Sequence, residues 1–83
     1  MDIKSWKIML AVDDYGSFTR VGAELGYTQS GITQMMKNLE KKVGFPLYIK
    51  DHHGITLTNE AKSLIPAIRT LLNADEVIHQ EIA

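Results

Sequence analysis

Two glutamines five positions apart, Gln29 and Gln34, carry the side-chain chemistry with the clearest use in this sequence. A glutamine amide presents a hydrogen-bond donor and an acceptor side by side, which matches N6 and N7 of an adenine in the major groove of DNA. Ser30 and Thr33 lie between the two glutamines, and Lys37 follows one turn after Gln34. All three can contact bases or phosphates. A helix that carries Ser30, Thr33, Gln34, Lys37 and Lys41 on its outer face would present a polar surface without a carboxylate.

The element that must position these residues is a helix predicted over residues 29–43. Thr28 precedes it and can act as its N-terminal cap, because a threonine hydroxyl accepts a hydrogen bond from an open backbone N–H. The polar residues lie opposite an apolar stripe at helical spacing. This stripe consists of Ile32, Met36, Leu39 and Val43.

A shorter helix is predicted immediately before it. Ser17 can cap its start, and Gly26 can end it, because a residue without a Cβ adopts the left-handed conformation easily. The chain then reverses through Tyr27. Two short helices joined in this way are the signature of a helix-turn-helix, which indicates DNA binding. The residues expected on the buried face of the shorter helix are Phe18, Val21, Gly22 and Leu25.

A hairpin is predicted after these two helices, and another helix is predicted before them. Gly44 and Pro46 interrupt the helical pattern, and two short apolar-rich runs over residues 47–50 and 55–57 predict strands. The turn between them is Asp51-His52-His53-Gly54. A hairpin in this position is a wing. The first helix, predicted over residues 3–14, is expected to bury Trp6, Met9 and Leu10.

A long helix is predicted from Thr58, as its cap, to Ala83. A helix of roughly 25 residues is about 37 Å long, which exceeds what the preceding core can cover. The apolar positions alternate spacings of three and four, with one interruption at Asp75, as in a coiled-coil seam. The seam predicts pairing with a second copy, although it could also pack on its own domain. The residues expected in the dimer interface are Leu64, Ile68, Leu71, Leu72 and Ile78.

Composition limits the class of protein. With 83 residues, 45% of them hydrophobic, the chain is long enough for one small domain. A chain of this length buries only roughly 60 to 65% of its unfolded surface, so a partner chain would add stability. The absence of cysteine excludes disulfides and thiolate metal sites. No signal peptide or membrane span is recognisable, so a cytoplasmic location is expected.

The net charge of −1 conceals an uneven distribution. Residues 28–50 carry four lysines against Glu40 alone, whereas residues 51–83 carry two basic and five acidic residues. A basic middle and an acidic end suggest that the two parts have different partners. The plain alternative is that charges of both signs only keep the helix surfaces solvated.

Enzymatic and metal-binding sites are not expected. Asp51, His52 and His53 are adjacent, but side chains at a hairpin tip diverge, and no third ligand lies at a recognisable interval. The sequence has no glycine-rich phosphate loop, no nucleophile motif and no sign of a cofactor. The alternative to DNA binding is a helical dimerisation or protein-interaction module, in which the long last helix is the whole function. Salt-dependent binding to duplex DNA would distinguish the two.

Over nearly its whole length the chain resembles the N-terminal DNA-binding domain of LysR-type transcriptional regulators. It departs from the common pattern at three places. Val21-Gly22 replaces the usual pair of alanines, Lys50 replaces the common wing arginine, and Ala61 takes a position often held by glycine. A lysine is a point charge and lacks the bidentate contact of arginine. The segments that carry the resemblance are Gly16 to Thr19, Thr28 to Ser30, Leu39-Glu40, Gly44, Leu47-Tyr48 and Leu57-Thr58.

The resemblance implies a mainly α fold: a winged helix-turn-helix with a two-stranded wing over residues 1–58 and a linker and dimerisation helix over residues 59–83. It implies a homodimer on double-stranded DNA, with the recognition helix in the major groove and the wing on an adjacent groove or the backbone. It also implies that a C-terminal domain for a small-molecule effector is absent from this chain, and that the full-length protein can form a tetramer. The expected DNA-contact residues are Ser17, Thr19, Thr28, Gln29, Ser30, Thr33, Gln34, Lys37, Lys50, His52 and His53.

Overall fold

The computed structural model describes residues 2–82 of the chain. It confirms the predicted architecture, a mainly α winged helix-turn-helix followed by a long helix. Met1 and Ala83, the ends of the two predicted segments, lie outside the described residues. The elements in chain order are α1 (Ile3–Tyr15), α2 (Phe18–Leu25), α3 (Gln29–Val43), β1 (Tyr48–Asp51), β2 (Gly54–Leu57) and α4 (Asn59–Ile82).

Side-chain caps fix where the helix-turn-helix begins and turns. The Ser17 hydroxyl accepts a hydrogen bond from the backbone N–H of Arg20 at 3.2 Å, and the Thr28 hydroxyl accepts one from Gly31 at 3.0 Å. Each satisfies a backbone donor that the first turn of a helix leaves open. Gly26 ends α2 with φ 83°, the left-handed conformation. Both predicted caps and the predicted stop are confirmed.

One hydrophobic core joins α1, α2, α3, the wing and the start of α4. Leu25, predicted to be buried, is instead 45% exposed. It is the last residue of α2, one position before the chain reverses at Gly26, so the core ends a turn earlier. Trp6, Leu10 and Val43 are partly buried and pack around the core. The fully buried residues with the largest side chains are Ile8, Met9, Val12, Val21, Ile32, Met36, Leu39 and Leu47.

Gly22 lies where α2 touches the turn that leads into α3. A Cβ built on Gly22 would lie 2.6 Å from the carbonyl oxygen of Tyr27 and 3.3 Å from that of Thr28. The backbone N–H of Tyr27 also donates to the Gly22 carbonyl at 2.8 Å. Val21, beside it, is fully buried. At the two positions where the family usually has alanines, Val21 therefore fills space in the core and Gly22 leaves room for the turn.

We expect Gly22→Ala to lower the free energy of unfolding by about 1 to 2 kcal/mol, because the added methyl meets backbone atoms that cannot rotate away. Alanine gains about 1 kcal/mol of helix propensity over glycine, which offsets part of this cost. Denaturant unfolding measures the difference. Ala23→Gly, at an exposed position of the same helix, measures the propensity contribution alone. A Gly22→Ala chain as stable as the wild type would show that the turn moves aside at no cost.

The wing is a two-stranded antiparallel hairpin in which Tyr48 pairs with Leu57 and Asp51 with Gly54. Its first strand begins and ends one residue later than predicted, and its second begins one residue earlier. Leu47, predicted to lie in the first strand, is fully buried just before it. Its carbonyl accepts a hydrogen bond from the backbone N–H of Thr58 at 3.0 Å, which closes the base of the hairpin.

The last helix is continuous through Pro66. Thr58 caps it as predicted: its hydroxyl accepts a hydrogen bond from the N–H of Ala61 at 3.2 Å and donates one to the carbonyl of Pro46 at 2.9 Å. The start of α4 packs on α1 and β2, and Ile68 is only 4% exposed. Little of the Ile68 side chain is therefore left for a second chain. The exposed large apolar residues of α4 are Leu71, Val77, Ile78 and Ile82.

Candidate nucleic-acid interface

Neighbouring side chains hold the two glutamines in defined positions on the exposed surface of α3. The Gln29 side-chain amide donates to the Thr33 hydroxyl at 3.0 Å, and that hydroxyl donates to the Gln29 backbone carbonyl at 3.1 Å. The Gln34 amide donates to the side-chain oxygen of Asn38 at 2.9 Å. These exposed bonds between residues four apart are weak in water. They hold the amides along the helix surface and can be exchanged for bonds to base edges.

Glu40, the single carboxylate within α3, is turned away from this face. Its Oε2 accepts a hydrogen bond from the backbone N–H of Leu47 at 2.8 Å, in a partly buried position. The negative charge is thereby used to hold the chain where it leaves α3 for the wing. Lys37, Lys41 and Lys42 remain exposed. The exposed surface of α3 thus combines amides, hydroxyls and ammonium groups, which suits a polyanion.

Lys37 reaches from α3 to the first wing strand. Its Nζ lies 5.4 Å from the centre of the Tyr48 ring. The neighbouring Tyr48 phenol is the main cause that raises the pKa of Lys37 above its usual value. The Tyr48 ring in turn meets the Phe18 ring edge to face, with 4.9 Å between centroids. Three elements, α2, α3 and β1, therefore converge on Tyr48.

The wing is docked on the turn between α1 and α2 through backbone atoms. The backbone N–H of Ile55 donates to the carbonyl of Gly16 at 2.9 Å. Gly54 has φ 123°, and a Cβ on it would lie 2.6 Å from the same Gly16 oxygen. Only glycine fits this position, because a side chain would both strain the backbone and separate the two segments. The position of the wing is thus set independently of the side chains at its tip.

A cleft of about 140 Å³ opens where the starts of α2 and α3 face the wing. It brings together four of the predicted contact residues, which come from three separate parts of the sequence. Both helix starts direct backbone N–H groups outward, which favours an anion such as a DNA phosphate. The predicted contact residues that line this cleft are Ser17, Thr19, Gln29 and Lys50.

Four further predicted contact residues lie at the start of α3 and at the wing tip. Thr28 and Ser30 place their hydroxyl oxygens 3.3 Å apart at the start of α3. His52 and His53 are exposed at the wing tip, with ring centroids 4.0 Å apart. The side chain of Asp51 accepts from the backbone N–H of His53 at 2.8 Å, which shapes the turn. Within residues 2–82 these groups do not form a cluster of three or more metal-binding side chains.

Sequence reasoning missed one cation near this surface, Lys4 of α1. Its Nζ lies 4.9 Å from the centre of the Tyr27 ring. A side-chain hydrogen bond to Tyr27 is the main cause that raises the pKa of Lys4. Because Tyr27 directly precedes the cap of α3, Lys4 adds positive charge near the start of that helix. No spacing in the sequence links the two residues, since the contact forms only when α1 packs beside the turn.

Comparison with known proteins places this geometry in a family. A model described as a bacterial regulatory helix-turn-helix protein of the lysR family matches residues 3–62. The transcriptional regulator CzcR of Bacillus anthracis is 32% identical over 78 residues, which cover 93% of this chain and 27% of CzcR. The transcriptional activator BauR of Pseudomonas aeruginosa is 33% identical over 81 residues, covering 98% of this chain and 27% of BauR.

Solved structures agree with this comparison. The crystal structure of the CbnR DBD–DNA complex superposes with a TM-score of 0.89 at 26% identity, over 98% of this chain and 93% of that one. The chain spans about a quarter of the length of the curated relatives that it matches. Among residues 2–82, no helix is long and apolar enough to cross a membrane. With the family model covering α1 to the first turn of α4, the chain belongs to the LysR family of bacterial regulatory helix-turn-helix proteins.

Proposed function

We propose that the chain binds double-stranded DNA in a sequence-specific manner, as the DNA-binding part of a transcriptional regulator. The observation that carries this is the outer face of α3, where exposed amides and lysines lie beside the wing and the single carboxylate, Glu40, is bonded inward. In this arrangement α3 enters the major groove and the wing lies on an adjacent groove or on the backbone. The solved CbnR DBD–DNA complex supports the same use of this fold.

The contacts divide into two kinds. Gln29 and Gln34 read base edges, because their amides can pair with adenine N6 and N7. Ser30 and Thr33 contact bases or phosphates. On the helix-turn-helix, Ser17, Thr19, Thr28 and Lys37 bind the backbone and set the position of the protein without reading sequence. On the wing, Lys50, His52 and His53 reach an adjacent groove or the backbone.

A second copy pairs through α4 in this proposal. An apolar cleft of about 170 Å³ lies between α1 and α4, lined by Trp6, Leu64, Ala67, Ile68 and Leu71. Beyond it, Ile78 is 58% exposed and Ile82 is 78% exposed, so the distal apolar face lacks cover within the described chain. Isologous pairing of two such faces would present two recognition helices to a two-fold related site.

In the full-length regulator we propose a C-terminal domain that binds a small-molecule effector, and further assembly into a tetramer. The segments proposed here are the winged helix-turn-helix over residues 1–58 and the linker and dimerisation helix over residues 59–83. The relatives are named as transcriptional regulators and activators, which favours regulation over an enzymatic activity. A DNA partner would put the protein in the cytoplasm.

Selection of bound sequences from a random duplex pool tests the proposed function. The expected result is an enriched palindromic motif, with affinity that falls as the salt concentration rises, because lysine contacts release counterions from DNA. The alternative, a helical protein-interaction module, predicts a chain that self-associates but enriches no motif. A pool that stays random at low salt would overturn the proposal of specific DNA binding.

A further inference from the structure

We propose that Tyr48 is a further DNA-contact residue, and that its hydroxyl and the Lys37 ammonium together hold one backbone phosphate. This rests on the proposed function, because it assigns a second ligand to a phosphate contact of α3. The pair lies at the junction of the recognition helix and the wing. The two donors come from α3 and β1, so one phosphate held by both would fix the wing relative to the recognition helix on DNA.

The ring of Tyr48 has little freedom to move. Phe18, which is 5% exposed, meets it edge to face at 4.9 Å on one side. The Tyr48 backbone is fixed by pairing with Leu57, which is buried. Tyr48 itself is half-buried, whereas Lys37 is exposed. The phenol is therefore held by the fold at the edge of the core and meets a side chain that reaches the outer surface.

The chemistry of the pair leaves two donors for an anion. An ammonium has three N–H donors, and a phenol has one O–H donor and can accept. The Nζ of Lys37 lies 5.4 Å from the centre of the Tyr48 ring, as in a cation–π contact. The O–H of Tyr48 remains available, and the neighbouring cation makes it a stronger donor. A phosphate beside the ammonium can accept from both groups at once.

The two contacts have different electrostatic signatures. Loss of the Lys37 charge releases one counterion fewer on binding, so the salt dependence changes. Loss of the Tyr48 hydroxyl removes an uncharged donor, so affinity falls while the salt dependence stays the same. Tyr48 also limits the motion of Lys37 before binding, which reduces the ordering cost of a long side chain. A tyrosine that served only the fold would show neither pattern.

The test uses Tyr48→Phe, Lys37→Met and the double variant on a duplex chosen by the selection described above. Tyr48→Phe keeps the ring and its contact with Phe18, so the melting temperature should stay near that of the wild type. We expect it to weaken binding to all duplexes about ten- to a hundredfold, as for a hydrogen bond to a charged group, with an unchanged salt slope. Lys37→Met should lower the slope by about one. Tyr48→Phe should cost less in the Lys37→Met background.

Replacement of single phosphates by neutral methylphosphonates identifies the phosphate concerned. One and the same position should matter most to the wild type, matter less in each single variant and cease to matter in the double variant. Tyr15→Phe is the matched control, because it removes a hydroxyl from another ring with a cation near it, Arg20 at 5.0 Å, and should bind as the wild type does. Different phosphates for the two variants, or wild-type affinity of Tyr48→Phe, would overturn the shared contact alone. A wild-type chain that binds no duplex would overturn the proposed function as well.

Discussion

A Leu71→Asp chain is expected to be monomeric and to bind its DNA site roughly a hundredfold to ten-thousandfold more weakly than the wild type. Leu71 lies in α4, outside the predicted interface with DNA, so the loss of a direct contact would not explain an effect of this size. Two recognition helices on one dimer engage their half-sites at high effective concentration, and avidity of this kind contributes roughly 10² to 10⁴ in affinity. Separate monomers lose it entirely.

The position of Leu71 explains why this residue is chosen. It is 42% exposed and lines the apolar cleft between α1 and α4. Asp75 lies one turn further along α4, with its Oδ1 3.4 Å from Nε2 of His79. In the dimer, a carboxylate introduced at position 71 would lose its hydration where it packs against the same position of the second subunit. A buried charge without a partner is strongly unfavourable. In the monomer, the same side chain remains hydrated.

Sedimentation of the wild type and of Leu71→Asp measures the dimer directly. Asn73→Asp is the matched control: it adds the same charge two positions away, about 160° round the helix at roughly 100° per residue, and should leave both the dimer and DNA binding intact. A wild-type chain that stays monomeric at high micromolar concentration would contradict the dimer model. Equal dimerisation of Leu71→Asp would mean that this seam packs within one subunit.

Gln34 and Lys37 are expected to contribute differently to DNA binding, one to sequence recognition and the other to contact with the phosphate backbone. Gln34→Ala is expected to lose discrimination at one base pair by about 1 to 3 kcal/mol, because a bidentate amide pair is lost. Lys37→Ala should weaken all sequences alike and lower the salt slope by about one. Asn38→Ala removes only the helix neighbour that holds the Gln34 amide at 2.9 Å. It should leave the preferred sequence unchanged.

Competition binding between the selected site and scrambled duplexes, repeated over a range of salt concentrations, separates the two kinds of contact. Gln34→Ala should change the ratio of the two affinities, and Lys37→Ala should leave the ratio constant. If Gln34→Ala kept the wild-type ratio, Gln34 would not read a base. A change of ratio in Lys37→Ala would make that lysine a base contact.

The bounds of α2 and α3 could be predicted from the sequence because their causes are local. Ser17 and Thr28 bond to backbone groups three residues away, and Gly26 acts at its own position. Helical periodicity likewise placed Ser30, Gln34 and Lys37 on one exposed face. Leu25 shows the limit of this reasoning: its spacing fits the buried stripe, but the turn at Gly26 ends the core before it.

The contacts that complete the site could not be predicted because they join distant residues. The bond from Leu47 to Glu40 crosses seven positions, and the bond from Ile55 to Gly16 joins the wing to the turn between α1 and α2. No periodicity links such pairs. Tyr48 shows the same limit, since its place beside Lys37 depends on how the wing packs against α3. The sequence identified which residues are polar and exposed, but not which of them act as one group.

The backbone docking of the wing has a consequence for how this protein can diverge. Gly54 and the N–H of Ile55 secure the hairpin to Gly16 without any side chain from the tip. Asp51, His52 and His53 are exposed and contribute nothing to the core. Substitution of His52 or His53 is thus expected to leave the fold intact, whereas the side chain of Asp51 also accepts from the backbone N–H of His53 and shapes the turn. The two histidines, which are proposed DNA contacts, can therefore be exchanged without loss of the fold, whereas a single change at Gly54 would displace the whole hairpin.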